Sequence, residues 1–214
     1  MLNRRSAIAM LAAAGSALAS GLHAQPRRPV TTDEVAMGAA NAPITVVEFA
    51  SVACPVCARF NNEVFPDFKK KYIDTGQVRF VTREILAHNP NLAAYGFMIA
   101  RCAGQDKYFE VTDAVYHAQA EMEASGKYGE GLLKIGKDAG LTEAEINACI
   151  SDRANIDALN ARVAKNSRDL VAVSPDGRGS TPTFVINGVT TKGFQTLEQM
   201  DQLIVAARAA RASP

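Results

Sequence analysis

The spacing of apolar residues changes period several times along the chain. Ile44-Thr45-Val46-Val47-Glu48-Phe49 is apolar at alternate and intervening positions. Such a run predicts a central strand of a sheet covered on both faces. From Cys57 to Tyr72, residues Phe60, Val64, Phe65, Phe68 and Tyr72 recur at helical spacing. Gly76 closes that helix, and Val78-Arg79-Phe80-Val81-Thr82 reads as a second strand. A right-handed crossover through the helix makes these two strands parallel.

The middle third changes character. Residues 90–103, 105–120, 130–139, 143–151 and 154–170 all read as helices, almost free of β-branched runs. Ile146, Cys149 and Ile150 share one periodic face, and Ile156, Leu159 and Val163 share another. Residues 173–180 break the pattern as a Pro- and Gly-containing loop. Thr183 to Ile186 and Val189 to Lys192 then flank Asn187-Gly188, a strong hairpin signal. A last helix carries Leu197, Met200, Leu203, Ile204 and Ala207 on one side. Ahead of all this, residues 25–42 are polar and irregular, with one short strand near Glu34-Val35-Ala36-Met37. The predicted order is βαβ, a helical insertion, then ββα: an α/β protein with one mixed sheet. That closure brings Pro182, at the start of one strand, towards Cys54, at the end of another.

The N-terminus adds a targeting signal. Arg4-Arg5 precedes a short, alanine-rich apolar stretch, followed by cleavage motifs ending at Ala19 or Ala24. Residues 1–24 therefore read as a secretory signal peptide. An uncleaved anchor is the alternative, disfavoured by the shortness of the stretch. The arginine pair also permits a twin-arginine route. The remainder, residues 25–214, is roughly 190 residues, one domain by length. Loss of Arg4 and Arg5 leaves 21 basic against 22 acidic residues, so the charge moves from +1 to −1. A near-neutral balance offers no electrostatic case for nucleic acid.

Four cysteines suit an oxidising compartment but are too few for a disulfide-dense scaffold. Cys54-Pro55-Val56-Cys57 directly follows the first strand and opens a helix. Two cysteines at this spacing close a small disulfide, and a helix N-terminus stabilises a thiolate. A static disulfide is the bland alternative, though so tight a loop removes little chain entropy. A zinc site needs more ligands than His88 and His117, which stand alone. No metal or cofactor is expected. Cys102 and Cys149 fall on two insertion helices, either as buried thiols or, as an oxidising compartment favours, as a structural disulfide. Loop closure allows such a bond up to about 4 kcal/mol.

With these pieces in view, the chain resembles the DsbA-like thioredoxin superfamily. The residues that carry the resemblance include Met37 to Phe49, the Cys54–Cys57 motif, Val64-Phe65-Pro66, Lys71 to Gly76, Arg101-Cys102-Ala103-Gly104 and Gly179 to Gly188. The resemblance implies a thioredoxin fold with a helical insertion at about 88–172, export to the periplasm and a redox-active Cys54–Cys57 disulfide. Cys54 is then the nucleophilic sulfur and Cys57 its resolving partner. The family has a cis proline at the position of Pro182, facing the disulfide, with Thr181 placed to pair with extended substrate. An ordinary trans proline opening a strand is the alternative. Glu48 matches an acidic position of the family, and burial would suit it to relay a proton for Cys57. The alternative for Glu48 is an edge position with its carboxylate in water.

A thiol oxidase acting on exported polypeptides is the leading expectation, reoxidised by a quinone-coupled membrane partner as the resemblance implies. A disulfide isomerase or reductase of the same fold is the alternative. Thr181 is a choice shared with isomerases, whereas the segment before the first strand is too short for a separate dimerisation domain, so a monomer is expected. A non-catalytic binding module is the third class. Two departures stand out. Val56 replaces the histidine common in strongly oxidising members, which predicts a milder oxidant. Ala53 lacks the aromatic bulk often found before the motif, which predicts a different substrate groove.

Overall fold

The computed structural model describes residues 34–212. The signal peptide expected at 1–24 lies outside the described residues. Five strands form one sheet in the order β1-β3-β2-β4-β5. They are β1 (Val35–Met37), β2 (Ile44–Ala50), β3 (Val78–Glu84), β4 (Thr183–Ile186) and β5 (Val189–Lys192). β2 and β3 run parallel, in register from Ile44 opposite Val78 to Ala50 opposite Glu84. β4 is antiparallel to β2, β5 to β4, and β1 to β3. β2 is the central strand, as its largely apolar run predicts.

Between β2 and β3 the chain forms α1 (Pro55–Glu63), α2 (Phe65–Phe68) and a π-helical turn, Lys69–Ile73. The sequence predicts one helix here. The break at Val64 has a local cause: Pro66 lacks an N–H and clashes with the carbonyl four residues back. Val64 accordingly leaves helical geometry, with φ −121°. The insertion follows as α3 (Pro90–Ala103), a 3₁₀ turn (Gln105–Lys107), α4 (Tyr108–Ser125), α5 (Tyr128–Asp138), α6 (Glu143–Ser151) and α7 (Arg153–Val173). The helix expected over 105–120 is thus displaced towards its C-terminus, and Gly126, at φ 69°, ends it. α8 (Leu197–Ala212) is the last described element. Asn187 and Gly188 both take positive φ, as a two-residue hairpin turn demands. The Asn187 side chain also accepts a bond from Thr45 N at 3.0 Å, which pins the turn to β2.

The sheet is covered on both faces. On one, α1, α2 and α8 bury Phe60, Phe68, Met200 and Ile204 against Val46, Phe80 and Phe184. On the other, Leu170 of α7 packs on Phe49 and Ile85. The third core lies in the insertion and reaches Cys54 and Cys57 themselves. Gly96 permits that approach: a Cβ there would meet Val52 Cγ2 at 2.9 Å.

A buried ionic cluster joins insertion to sheet. Glu84, at the end of β3, is 1 % exposed. Its carboxylate accepts from Arg101 Nε at 2.7 Å, Arg162 Nε at 2.9 Å and the Tyr108 hydroxyl at 3.2 Å. Asn166 of α7 donates to the Glu84 main-chain carbonyl at 3.1 Å. Cys102 of α3 and Cys149 of α6 are joined as a disulfide, with Cα atoms 6.4 Å apart. Among the described residues, no helix is long and apolar enough to cross a membrane.

Candidate active site

β2 ends at Ala50, and the chain turns tightly before α1, with Cys54 N donating to Ser51 O at 2.9 Å. Cys54 is the N-cap of α1 and keeps an extended backbone, φ −88° and ψ 120°. Pro55 follows at the first helical position, where its missing N–H costs nothing. The Cys54 sulfur therefore lies where unpaired helical N–H groups point. Cys54 and Cys57 are free thiols, both buried.

The two sulfurs are driven apart in acidity. Cys54 is lowered to about 5, first by a hydrogen bond from the Cys57 thiol, against the cost of burial. Thr181 and the backbone N–H groups of Cys57 and Val56 add to the lowering. In the thiol form, Cys54 Sγ donates to Thr181 O at 3.4 Å. The buried Thr181 hydroxyl has no partner in that form, so it is the donor at hand once the sulfur ionises. Cys57 is pushed well up, first by burial and then by the bond it gives Cys54. One thiol is thus ready to ionise at neutral pH, and the other holds its proton.

Opposite Cys54, the Thr181–Pro182 peptide bond is cis. Gly193 N donates to Pro182 O at 2.8 Å and holds this loop to the end of β5. Glu48 lies between Thr82 of β3 and Phe184 of β4. It is 6 % exposed, so it is a central-strand carboxyl and not an edge one. Burial raises its pKa from 4.5 to about 8, and the Cys54 charge adds to the rise.

The fold thus brings Cys54, Cys57, Glu48, Thr181 and Pro182 into one site. Cys102 and Cys149 belong to the insertion. His117 is exposed and 3.7 Å from Asp113, while His88 is an exposed residue with φ 66°. Among the described residues, no group of three or more His, Cys, Asp or Glu is placed to hold a metal ion. Sequence reasoning missed two residues near the site. Tyr116 of α4 is buried, and its acidity is suppressed first by burial and then by the charges of Cys57 and Glu48. Thr112 lies one turn earlier on α4, also buried. Nothing in a helical period distinguishes them from ordinary core positions.

A sheet of this order, with a buried Cys-X-X-Cys at a helix N-terminus and a cis proline facing it, defines a thioredoxin-fold protein. The family model described as Thioredoxin matches residues 30–206, and the chain belongs to that family, in its DsbA-like branch. A Rickettsia bellii protein named "Putative protein-disulfide oxidoreductase" is 34 % identical over 166 residues. That match takes in 77 % of this chain and 61 % of the relative, so the chain spans about three fifths of its length. Disulfide bond formation protein D of Bacillus subtilis is 24 % identical over 179 residues, covering 83 % of this chain and 78 % of that protein. Among solved structures, Wolbachia pipientis α-DsbA1 superposes with a TM-score of 0.67 at 27 % identity, covering 84 % of this chain and 94 % of that one.

Proposed function

We propose that the protein is a thiol:disulfide oxidoreductase that acts as an oxidase on exported polypeptides in the periplasm. A substrate thiolate attacks Cys54 Sγ of the Cys54–Cys57 disulfide. The S–S bond breaks, Cys57 leaves as a thiolate, and a mixed disulfide forms at Cys54. Glu48 gives Cys57 its proton. A second substrate thiolate then attacks the substrate sulfur of the mixed disulfide and expels Cys54. Two electrons have passed from substrate to enzyme, and a quinone-coupled membrane partner removes them. Thr181 and Pro182 form the wall against which extended substrate lies, and the protein acts as a monomer. The Cys102–Cys149 bond is assigned a structural role.

The observation that carries the reading is the split between the two sulfurs. A Cys54 pKa of about 5 stabilises the reduced enzyme at pH 7 and makes the disulfide more oxidising. Two decades of ionisation correspond to about 60 mV for a two-electron couple. The value falls between those of DsbA, about 3.5, and thioredoxin, about 7. This supports an oxidase milder than the strongest of its kind, as Val56 in place of histidine leads one to expect.

The deciding experiment is the equilibrium potential of the Cys54–Cys57 pair against glutathione. The expected value is above about −200 mV, on the side of DsbA at about −120 mV. A value near that of thioredoxin, about −270 mV, sinks the oxidase reading in favour of a reductase or isomerase.

A further inference from the structure

The insertion holds a cavity of about 410 Å³ between α3, α5 and α6. Leu92, Tyr95 and Ile99 are spaced by three and four residues, so one face of α3 supplies a wall. Four of the lining side chains are buried aliphatics: Leu92 and Ile99 of α3, Leu132 of α5 and Ile146 of α6. Around them stand Asn91, Tyr95 and Asn147, all exposed, and the half-buried Tyr128. None of Cys54, Cys57, Glu48, Thr181 or Pro182 lines this space. Small-molecule sites are typically about 300–1,000 Å³, mostly apolar, with a few polar groups that orient the guest. The cavity matches that description in size and in lining.

The charges define the guest. No Asp, Glu, Lys, Arg or His lines the cavity, so an ion entering it would give up water without a counter-charge on the walls. The one carboxylate tied to the lining is that of exposed Glu123, which accepts from the Tyr128 hydroxyl at 2.8 Å and from Asn89 Nδ2 at 3.4 Å. It disfavours an anion further. Among the described residues, the side-chain amides of Asn91 and Asn147 bond to no protein group, which leaves them for a polar end of the guest. The glycines of α5 add a separate observation. Gly131 and Gly136 serve close packing: a Cβ would meet Met122 Sδ or Ile146 Cδ1, each at 2.6 Å. Gly129 lines the cavity, yet a Cβ there would meet nothing within 4 Å. No protein neighbour requires glycine at that point, and glycine weakens a helix relative to alanine. Its effect is to leave the mouth open. A guest helix, by contrast, is about 10–12 Å across and spreads its anchors over several turns, more than this space between three helices admits.

We propose that this cavity binds a small, apolar, uncharged molecule, with its body on the four aliphatic side chains and a hydrogen-bonding end at Asn91 and Asn147. The site is separate from the dithiol, and binding involves no covalent or redox step. α3 also packs on the active-site loop, through Gly96 against Val52, so direct binding is a cleaner readout of occupancy than turnover.

The probe is phenylnaphthylamine, an uncharged aromatic amine whose fluorescence rises in apolar surroundings, titrated into the folded protein. The expected result is saturable one-to-one binding with a Kd on the order of 100 μM or tighter. Anilinonaphthalenesulfonate, the same ring system with a sulfonate, should bind about tenfold more weakly or worse. Gly129→Leu narrows the mouth from α5 and Asn147→Trp narrows it from α6. Each should weaken the uncharged probe by about tenfold and leave the melting temperature near that of the wild type. Two independent substitutions keep the result decisive if one of them fails to fold. Absence of saturable binding, binding that neither substitution weakens, or equal affinity for the sulfonate overturns the proposal. Displacement of the probe by an equimolar reduced and carboxymethylated polypeptide also overturns it, and gives the cavity to unfolded clients instead.

Discussion

Glu48 holds a carboxyl group where burial disfavours its charge. Burial lifts its pKa to about 8 in the dithiol protein, while the unfolded chain keeps it near 4.5. The unfolded state therefore loses this proton first as pH rises. Stability from this residue is complete below about pH 4.5 and declines until about pH 8. Cys54 works in the opposite sense. Its depressed pKa adds stability that is full above about 9 and is lost as pH falls through about 5. Glu48→Gln should abolish the first slope and leave the second. Urea midpoints of reduced protein between pH 5 and 9 should then rise with pH in the variant, whose advantage over wild type grows to a few kcal/mol. A constant offset between the two proteins would refute a titrating Glu48. At this scale Cys54, Cys57 and Pro182 were legible because motif and flanking strands agreed. Tyr116 and Thr112 were not, because helical spacing shows that a face is buried but not which cavity it lines.

Among the elements, α1 and α3 set the site. The start of α1 is written locally: a strand, a tight turn, Cys54 as N-cap and Pro55 next. Its end is also local once Pro66 is given its full weight, since the missing N–H and the ring clash stop the helix near Val64. The closeness of α3 to the active-site loop is a tertiary matter. Gly96 stands where a methyl would press on Val52 Cγ2, and Val115 lies beyond at 3.6 Å. β-Branched Val52 has little rotamer freedom to give way. Gly96→Ala should therefore destabilise the protein by about 1–3 kcal/mol, although alanine is the better helix former. Chemical denaturation measures this; a gain in stability would show that the α3 contact is slack. The α6 terminus gives the contrasting case. Thr142 and Glu145 form a reciprocal cap, with Glu145 N 3.2 Å from Thr142 Oγ1 and Thr142 N 2.8 Å from Glu145 Oε2, a device readable from four residues of sequence.

For the whole molecule, the Glu84 cluster is what bolts the insertion to the sheet. One carboxylate from β3 meets guanidinium groups from α3 and α7 and a hydroxyl from α4. Glu84→Ala leaves two buried guanidinium groups without that carboxylate and should cost about 3–5 kcal/mol. A loss under about 1 kcal/mol in urea unfolding would mean that the insertion is held by apolar packing alone. The Cys102–Cys149 bond closes the same insertion from its other side, between α3 and α6.

The sequence by itself determined the strand and helix order, the central place of β2, the hairpin and the Cys-X-X-Cys at a helix start. These follow from periodicity, turn chemistry and proline geometry, which act over a few residues. Only the tertiary structure decided that Thr181 meets Cys54, that Glu48 is enclosed, that Glu84 gathers Arg101 and Arg162, and that Tyr116 shares a cavity with Glu48. Those outcomes depend on which surfaces are removed from water together. Desolvation and charge pairing are properties of neighbours in space, and no local spacing encodes them.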